Sequence, residues 1–243
     1  MKEQIAPFKG FSRDAFKFLT DLSKNNNVEW FNSNRTRYQN SIVQPARSFV
    51  VEMADFFNRL NPSIRTEPKF NETLMRINKD MRFSKGEPYR NYFLIHFGKF
   101  KLDSEFYVSF EPESFDFGLF INNSSESKDF YFSRNIVKYK KQFLSILDKY
   151  CINDNFEIHE LKKGPEIIDK SFNSSKHFQL ISELQMLLLQ KSLKTTEEII
   201  FSEDFLFEAM KTFTKLYPVY CFSVSPEPMK MIESFEENFG DMV

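Results

Sequence analysis

The chain is poor in the residues that most recognisable sites require. It has only 6 glycines in 243 residues and no G-x-G-x-x-G or G-x-x-x-x-G-K-[ST] run. That excludes the glycine-rich loops that bring backbone amides onto phosphates. Its 2 cysteines, Cys151 and Cys221, form no C-x-x-C pair, so nothing points to a stapled secreted scaffold or a thiol redox motif. His96, His159 and His177 are widely separated, with no H-x-x-x-H and no adjacent cysteine, and no metal site is expected from them. A carboxylate-bound Mg²⁺ stays open, because acidic ligands leave weak spacing signals. No G-x-S-x-G elbow is present. The longest apolar runs, such as Met186-Leu187-Leu188-Leu189, are far too short to span a bilayer, and the first residues lack the apolar stretch of a signal peptide. A soluble cytoplasmic protein without a membrane partner is expected. The net charge of −1 argues against a dedicated nucleic-acid-binding domain.

Phenylalanine is what the chain has in excess, with 31 Phe against 1 Trp. Most of these Phe fall at core-like periodicity and point to a Phe-built interior. Phe11, Ala15, Phe18, Leu19 and Leu22 recur at helical spacing behind a Ser12 N-cap. A second helix starts near Asn27, is ended, kinked or restarted at Pro45, and stops at Asn61-Pro62. Short alternating runs over Leu74–Phe83, Phe93–Phe97, Glu105–Glu111 and Asp116–Ile121 read as strands of an antiparallel meander with one covered face. Helix returns over Lys128–Tyr150, Ser175–Ser192, Glu203–Tyr217 and Pro226–Phe239, with one further strand at Phe156–Leu161. The expectation is a single α+β domain over 1–243: helical over 11–60, strand-rich over 70–122, and helical with one strand over 127–240.

Charge concentrates in one place. Between Arg76 and Arg90 lie Arg76, Lys79, Arg82, Lys85 and Arg90, against only Asp80 and Glu87. If Leu74–Phe83 is a strand, Arg76, Asn78, Asp80 and Arg82 share its polar face. Guanidinium forks suit carboxylate or phosphate. Lys85 and Arg90 flank the turn and could close over a ligand, with Tyr89 donating a hydrogen bond or offering a ring face. Tyr107 and Glu111 lie on the polar parity of a neighbouring strand, and Glu111 or Asp80 could serve as a general base. The competing reading is a solvent-facing surface held by ion pairs. Arg37, if buried, needs a carboxylate, with Asp80 or Glu111 as first guesses. The run Tyr131–Lys141 mixes aromatics with base; as a helix it turns Phe132, Ile136 and Tyr139 inward and leaves its lysines solvated.

A family pattern runs through the same residues. It comprises Asn26-Asn27-Val28-Glu29-Trp30-Phe31, then Asn34, Arg37, Tyr38 and Pro45, then Arg76-Ile77, Asp80, Arg82-Phe83-Ser84-Lys85 and Pro88-Tyr89. Further on come Phe106-Tyr107, Glu111-Pro112, Gly118-Leu119, Arg134 and Lys162-Lys163-Gly164-Pro165. This order resembles the domain of unknown function 2461 family over nearly the whole chain. The resemblance implies a single domain and brings no activity, substrate or cofactor with it. Two places depart from the family pattern: the turn Gly86-Glu87-Pro88-Tyr89-Arg90 is one residue shorter, and a Gly-rich run is reduced to Asp116-Phe117-Gly118. The sequence therefore yields three readings. The first is an anion pocket built from Arg76, Asp80, Arg82, Lys85, Tyr89, Arg90, Tyr107, Glu111 and Arg134. The second is a non-catalytic module binding protein or nucleic acid through Lys138–Lys141. The third is a purely structural Arg/Asp network.

Overall fold

The computed structural model describes residues 5–82, 85–99, 103–123 and 131–239. Helices α1 (Arg13–Lys24), α2 (Val28–Ser33), α3 (Arg35–Tyr38) and α4 (Gln44–Leu60) come first, with a π-helical turn at Gln39–Val43 between α3 and α4. Strands β1 (Phe93–Phe97), β2 (Glu105–Phe110) and β3 (Ser114–Asn122) follow, then α5 (Phe132–Lys138) and α6 (Lys140–Lys149). β4 (Glu157–Leu161), β5 (Pro165–Asp169), α7 (Ser174–Glu183), β6 (Met186–Lys194), a 3-10 turn at Glu198–Phe201, α8 (Asp204–Val224) and α9 (Pro228–Phe239) complete the chain. The fold is α+β, with one antiparallel sheet in the order β1-β2-β3-β6-β4-β5.

The local signals that start and stop the first helices act as expected. The Ser12 hydroxyl accepts the Asp14 N–H at 3.1 Å, and the Asn27 side chain accepts the Trp30 N–H at 2.9 Å, each satisfying an orphan donor of a helix start. Of the alternatives at Pro45, the helix restarts there. Pro45 occupies the first turn of α4, where its missing N–H costs nothing, and the preceding π-turn absorbs the change of register.

Four stretches differ from the sequence reading. Leu74–Phe83 is not a strand: its described part makes only isolated bridges, Leu74 with Phe70 and Ile95, and Asn78 with Tyr89. Pro88 has no N–H to extend a ladder, and the Asp80 carboxylate draws in the Arg82 N–H at 3.1 Å, curling the chain away. Phe83 and Ser84 lie outside the described residues. Met186–Lys194 is a strand and not the end of a helix. Leu and Met favour helix intrinsically, but Leu187, Leu188 and Leu189 pair in register with Glu160, His159 and Ile158 of β4, and tertiary pairing overrides propensity. The region 127–240 therefore holds three strands, β4, β5 and β6, rather than one. The helix expected over Lys128–Tyr150 breaks at Tyr139, whose φ of −109° and ψ of 37° leave the helical basin, and its first residues, 128–130, lie outside the described residues. β2 has both faces buried, Tyr107 and Ser109 included, so its polar parity is not a solvent face.

Two compact units divide the chain: Met1–Phe97 with Tyr107–Asp116 and Ser192–Met210, and Gly98–Phe106 with Phe117–Lys191 and Lys211–Val243. The core of the first is aromatic and centres on Phe11. Its ring lies 4.7 Å from that of Phe110, edge-on, and 5.4–5.6 Å from Phe49, Phe115 and Phe205. Such tilted contacts add to the stabilisation from burial. Gly10 is required beside it: its φ is +101°, and a Cβ there would stand 2.2 Å from the Phe201 carbonyl carbon. The second unit packs Phe106 on Phe213 and Tyr220, at 5.3 and 5.0 Å, and Phe143 on Phe222 at 4.9 Å.

Gly118, in β3, faces β6 so closely that a Cβ would sit 2.1 Å from the Leu189 carbonyl oxygen. The obstacle is backbone, which cannot rotate aside. Gly118→Ala is expected to lower the free energy of unfolding by about 1–3 kcal/mol, the usual cost of overpacking, measured by urea denaturation. An unchanged midpoint would show that the strands separate without cost.

Candidate functional site

The charged segment is held by a residue far from it in sequence. The Asn26 side-chain oxygen accepts the Tyr89 N–H at 3.0 Å, and its amide donates to the Tyr89 carbonyl at 2.9 Å. One side chain thus satisfies both backbone groups of Tyr89, as a neighbouring strand would. The same amide lies 3.3 Å from the Glu87 carboxylate. The Tyr89 ring stacks on Phe31 of α2 at 4.2 Å. Burial pushes the Tyr89 phenol up, and the nearby Arg35 cation partly offsets this.

Opposite Tyr89, Lys79 N–H donates to the Pro88 carbonyl and Arg90 N–H to the Ile77 carbonyl, both at 2.8 Å. The Arg90 guanidinium donates to the carbonyls of Asn78 and Arg76, at 2.6 and 3.1 Å. Arg90 therefore ties its own hairpin together. Asp80 and Arg82 form a two-point pair, at 2.6 and 3.0 Å, in open solvent. Arg82 holds the Asp80 carboxyl below its usual range, and Asp80 in turn raises Arg82. Exposed pairs of this kind add little to stability. Lys85 is exposed on the turn.

Arg76 has a different setting. It lines a small pocket of about 150 Å³ with Arg35, Tyr38, Gln39, Asn78 and Phe31. No carboxylate is among the described residues lining it, and neither Arg35 nor Arg76 has a carboxylate partner among the described residues. Tyr38 is buried, 4% exposed, and its hydroxyl makes no hydrogen bond among the described residues. Burial pushes its phenol well above the ordinary value, so it stays protonated. The pocket sits where α3 runs into the π-turn, closed by the Gln44 N–H reaching back to the Gln39 carbonyl. Such turns are frequent at functional sites.

Arg37 points elsewhere. Its guanidinium forks onto Asp14 at 2.6 and 2.8 Å and reaches Asp21 at 2.8 Å, so its partners are carboxylates of α1 and not Asp80 or Glu111. Arg37 draws the Asp14 carboxyl below its usual range, and the two aspartates raise Arg37. The group borders an open cleft of about 470 Å³ with Lys17, Thr20 and Pro112. Glu111 is half-buried, and burial with the nearby Asp116 charge raises its carboxyl. Tyr107 is buried in β2. Arg134 belongs to the other unit, where it lies 5.3 Å over the Tyr131 ring, beside a pocket of about 190 Å³ also lined by Lys138 and Pro226. Among the described residues, no group of three or more His, Cys, Asp or Glu could hold a metal ion, and no helix is long and apolar enough to cross a membrane.

A family model described as "Conserved hypothetical protein (DUF2461)" matches residues 14–222. The chain belongs to this family. No curated protein matches it. The DUF2461 signatures noted in the sequence turn out to touch one another: Asn26 clamps Tyr89, Asn27 caps α2, Phe31 stacks on Tyr89, and Asn34 bonds the Trp30 carbonyl at 3.0 Å. Of the predicted site residues, Arg76 reaches the pocket, while Tyr89 and Arg90 support its wall. Asp80 pairs with Arg82 outside it. Arg35, Tyr38 and Gln39 were missed as site residues. Their signal was faint: Arg35 and Tyr38 share a helical face at i, i+3, whereas Arg37, two positions on from Arg35, faces α1.

Two measurements test this geometry. Asn26→Ala removes both bonds to Tyr89 and is expected to cost about 1–3 kcal/mol, with faster amide exchange at Lys79 and Arg90; unchanged exchange would show that the hairpin holds itself. Glu111, whose folded carboxyl is raised, contributes stability below its unfolded value that is lost as pH rises through the folded one. Glu111→Gln should therefore melt higher than the parent at pH 7, with the gap shrinking toward pH 4. A gap that does not change with pH would contradict the burial of this carboxyl.

Proposed function

We propose that this protein binds a small anion in the pocket between α3 and the Arg76–Asn78 segment. The observation that carries the reading is a pair of arginines, Arg35 and Arg76, facing a concave site with no carboxylate among the described residues that line it. A structural arginine normally finds such a partner, as Arg37 and Arg82 do. Guanidinium forks are suited to oxyanions, and Gln39 and Asn78, whose side chains carry amides, also line the pocket. At about 150 Å³ the pocket is well below the range of about 300–1,000 Å³ typical for drug-sized ligands. It suits a free anion or the terminal group of a larger molecule. The reading keeps Arg76 from the sequence analysis and replaces the polar sheet face with a helix-to-hairpin pocket.

Inorganic phosphate and acetate serve as probes in calorimetric titration. The wild-type protein should show saturable binding of at least one of them. The double variant Arg35→Ala/Arg76→Ala should weaken that binding at least tenfold while leaving the melting temperature nearly unchanged, because both side chains are exposed. Saturable binding that survives the double substitution, or none in the wild type, would end the proposal.

A further inference from the structure

We propose a separate ligand site, in the second compact unit, that takes an organic anion: an acidic group carried on an apolar body. It lies where α5 meets the connection between α8 and α9, encloses about 190 Å³, and is lined by Tyr131, Arg134, Asn135, Lys138 and Pro226. All five residues belong to that one unit. Asn135 builds the site. Its side chain is buried, and its amide donates to the carbonyls of Phe222 and Ser225 at 2.9 and 2.8 Å. The amide thus spends its donors on the end of α8 and the residue that follows it, which fixes Pro226 beside α5.

Charge sets the sign of the ligand. Arg134 and Lys138 stand four residues apart on α5, both exposed, and like charges at that spacing destabilise a helix. Neither forms an ion pair among the described residues, and no carboxylate among those residues lines the pocket. Their neighbours are rings: Arg134 lies 5.3 Å over Tyr131 and Lys138 4.6 Å over Tyr139. A ring face attracts a cation but carries no net charge to cancel it. Lys149 and Lys176, by contrast, each meet a carboxylate. The walls set the body of the ligand. The remaining lining residues, Tyr131 and Pro226, are mostly hydrocarbon. A hydrated inorganic ion gains little against such surface, whereas an apolar body does. Apolar walls with a few placed charges are the usual make-up of a small-molecule site.

Benzoate and phenyl phosphate are the probes, with acetate and inorganic phosphate as their matched free anions. Each is titrated into the whole wild-type chain and followed by amide chemical shifts. At least one aromatic probe should shift the amides of Tyr131–Lys138 saturably, with an affinity about tenfold or more above that of its free anion. Arg134→Ala/Lys138→Ala should weaken that binding at least tenfold and leave the melting temperature level or higher, because both side chains are exposed and repel each other. Arg35→Ala/Arg76→Ala should leave the response at Tyr131–Lys138 as in the wild type, which keeps this site distinct from the pocket proposed above. Four results would each overturn the proposal: no saturable shift at Tyr131–Lys138, equal affinity for the aromatic probes and the free anions, binding that survives loss of both cations, or a response that disappears with Arg35 and Arg76.

Discussion

The pairing of the Asn26 side chain with the backbone of Tyr89 is the contact on which the candidate site depends. It joins the start of α2 to a hairpin more than sixty residues away. The hairpin is too short and too interrupted to be a strand pair, so it has no ladder of its own to rely on. The side-chain amide substitutes for a missing strand, the Phe31–Tyr89 stack covers it with apolar surface, and Arg90 closes the far side through two carbonyls. With these three contacts in place, Arg76 is brought to the same pocket as Arg35. Each arginine sits on a segment positioned by something other than its own charge, which leaves the charge available.

The three arginines of this region outside the pocket illustrate how context assigns a role. Arg37 is consumed by two aspartates of α1, Arg82 by the aspartate two residues before it, and Arg90 by backbone carbonyls. In the sequence Arg82 and Arg90 were candidates for ligand binding, and Arg37 was expected to need a carboxylate. What distinguishes Arg35 and Arg76 is that no acidic residue is among the described residues lining the place where they meet.

Much of the fold was legible because it is written in local chemistry. Ser12 and Asn27 announce helix starts, Asn61-Pro62 a stop, and the alternation of Glu105–Phe110 a strand. The failures have two causes, long-range pairing in one case and local turn chemistry in the other. Met186–Leu189 has the composition of a helix and becomes a strand because β4 offers it partners. Leu74–Phe83 has the alternation of a strand and loses it because Pro88 and the Asp80 turn deny it a ladder. The candidate site was half legible. Arg76 stood out as charge in a neutral chain, but Tyr38 read as one more core aromatic, and an unsatisfied hydroxyl leaves no trace in a sequence.

The Asn26 contact also exposes the protein to a slow chemical change. Conversion of that asparagine to aspartate, the ordinary ageing reaction of side-chain amides, exchanges a donor for a second acceptor. The Tyr89 carbonyl would lose its partner, and a new negative charge would face the Glu87 carboxylate that the amide now contacts. A single hydrolysed amide would thus act at the hairpin through repulsion as well as loss, from a side chain that does not line the pocket.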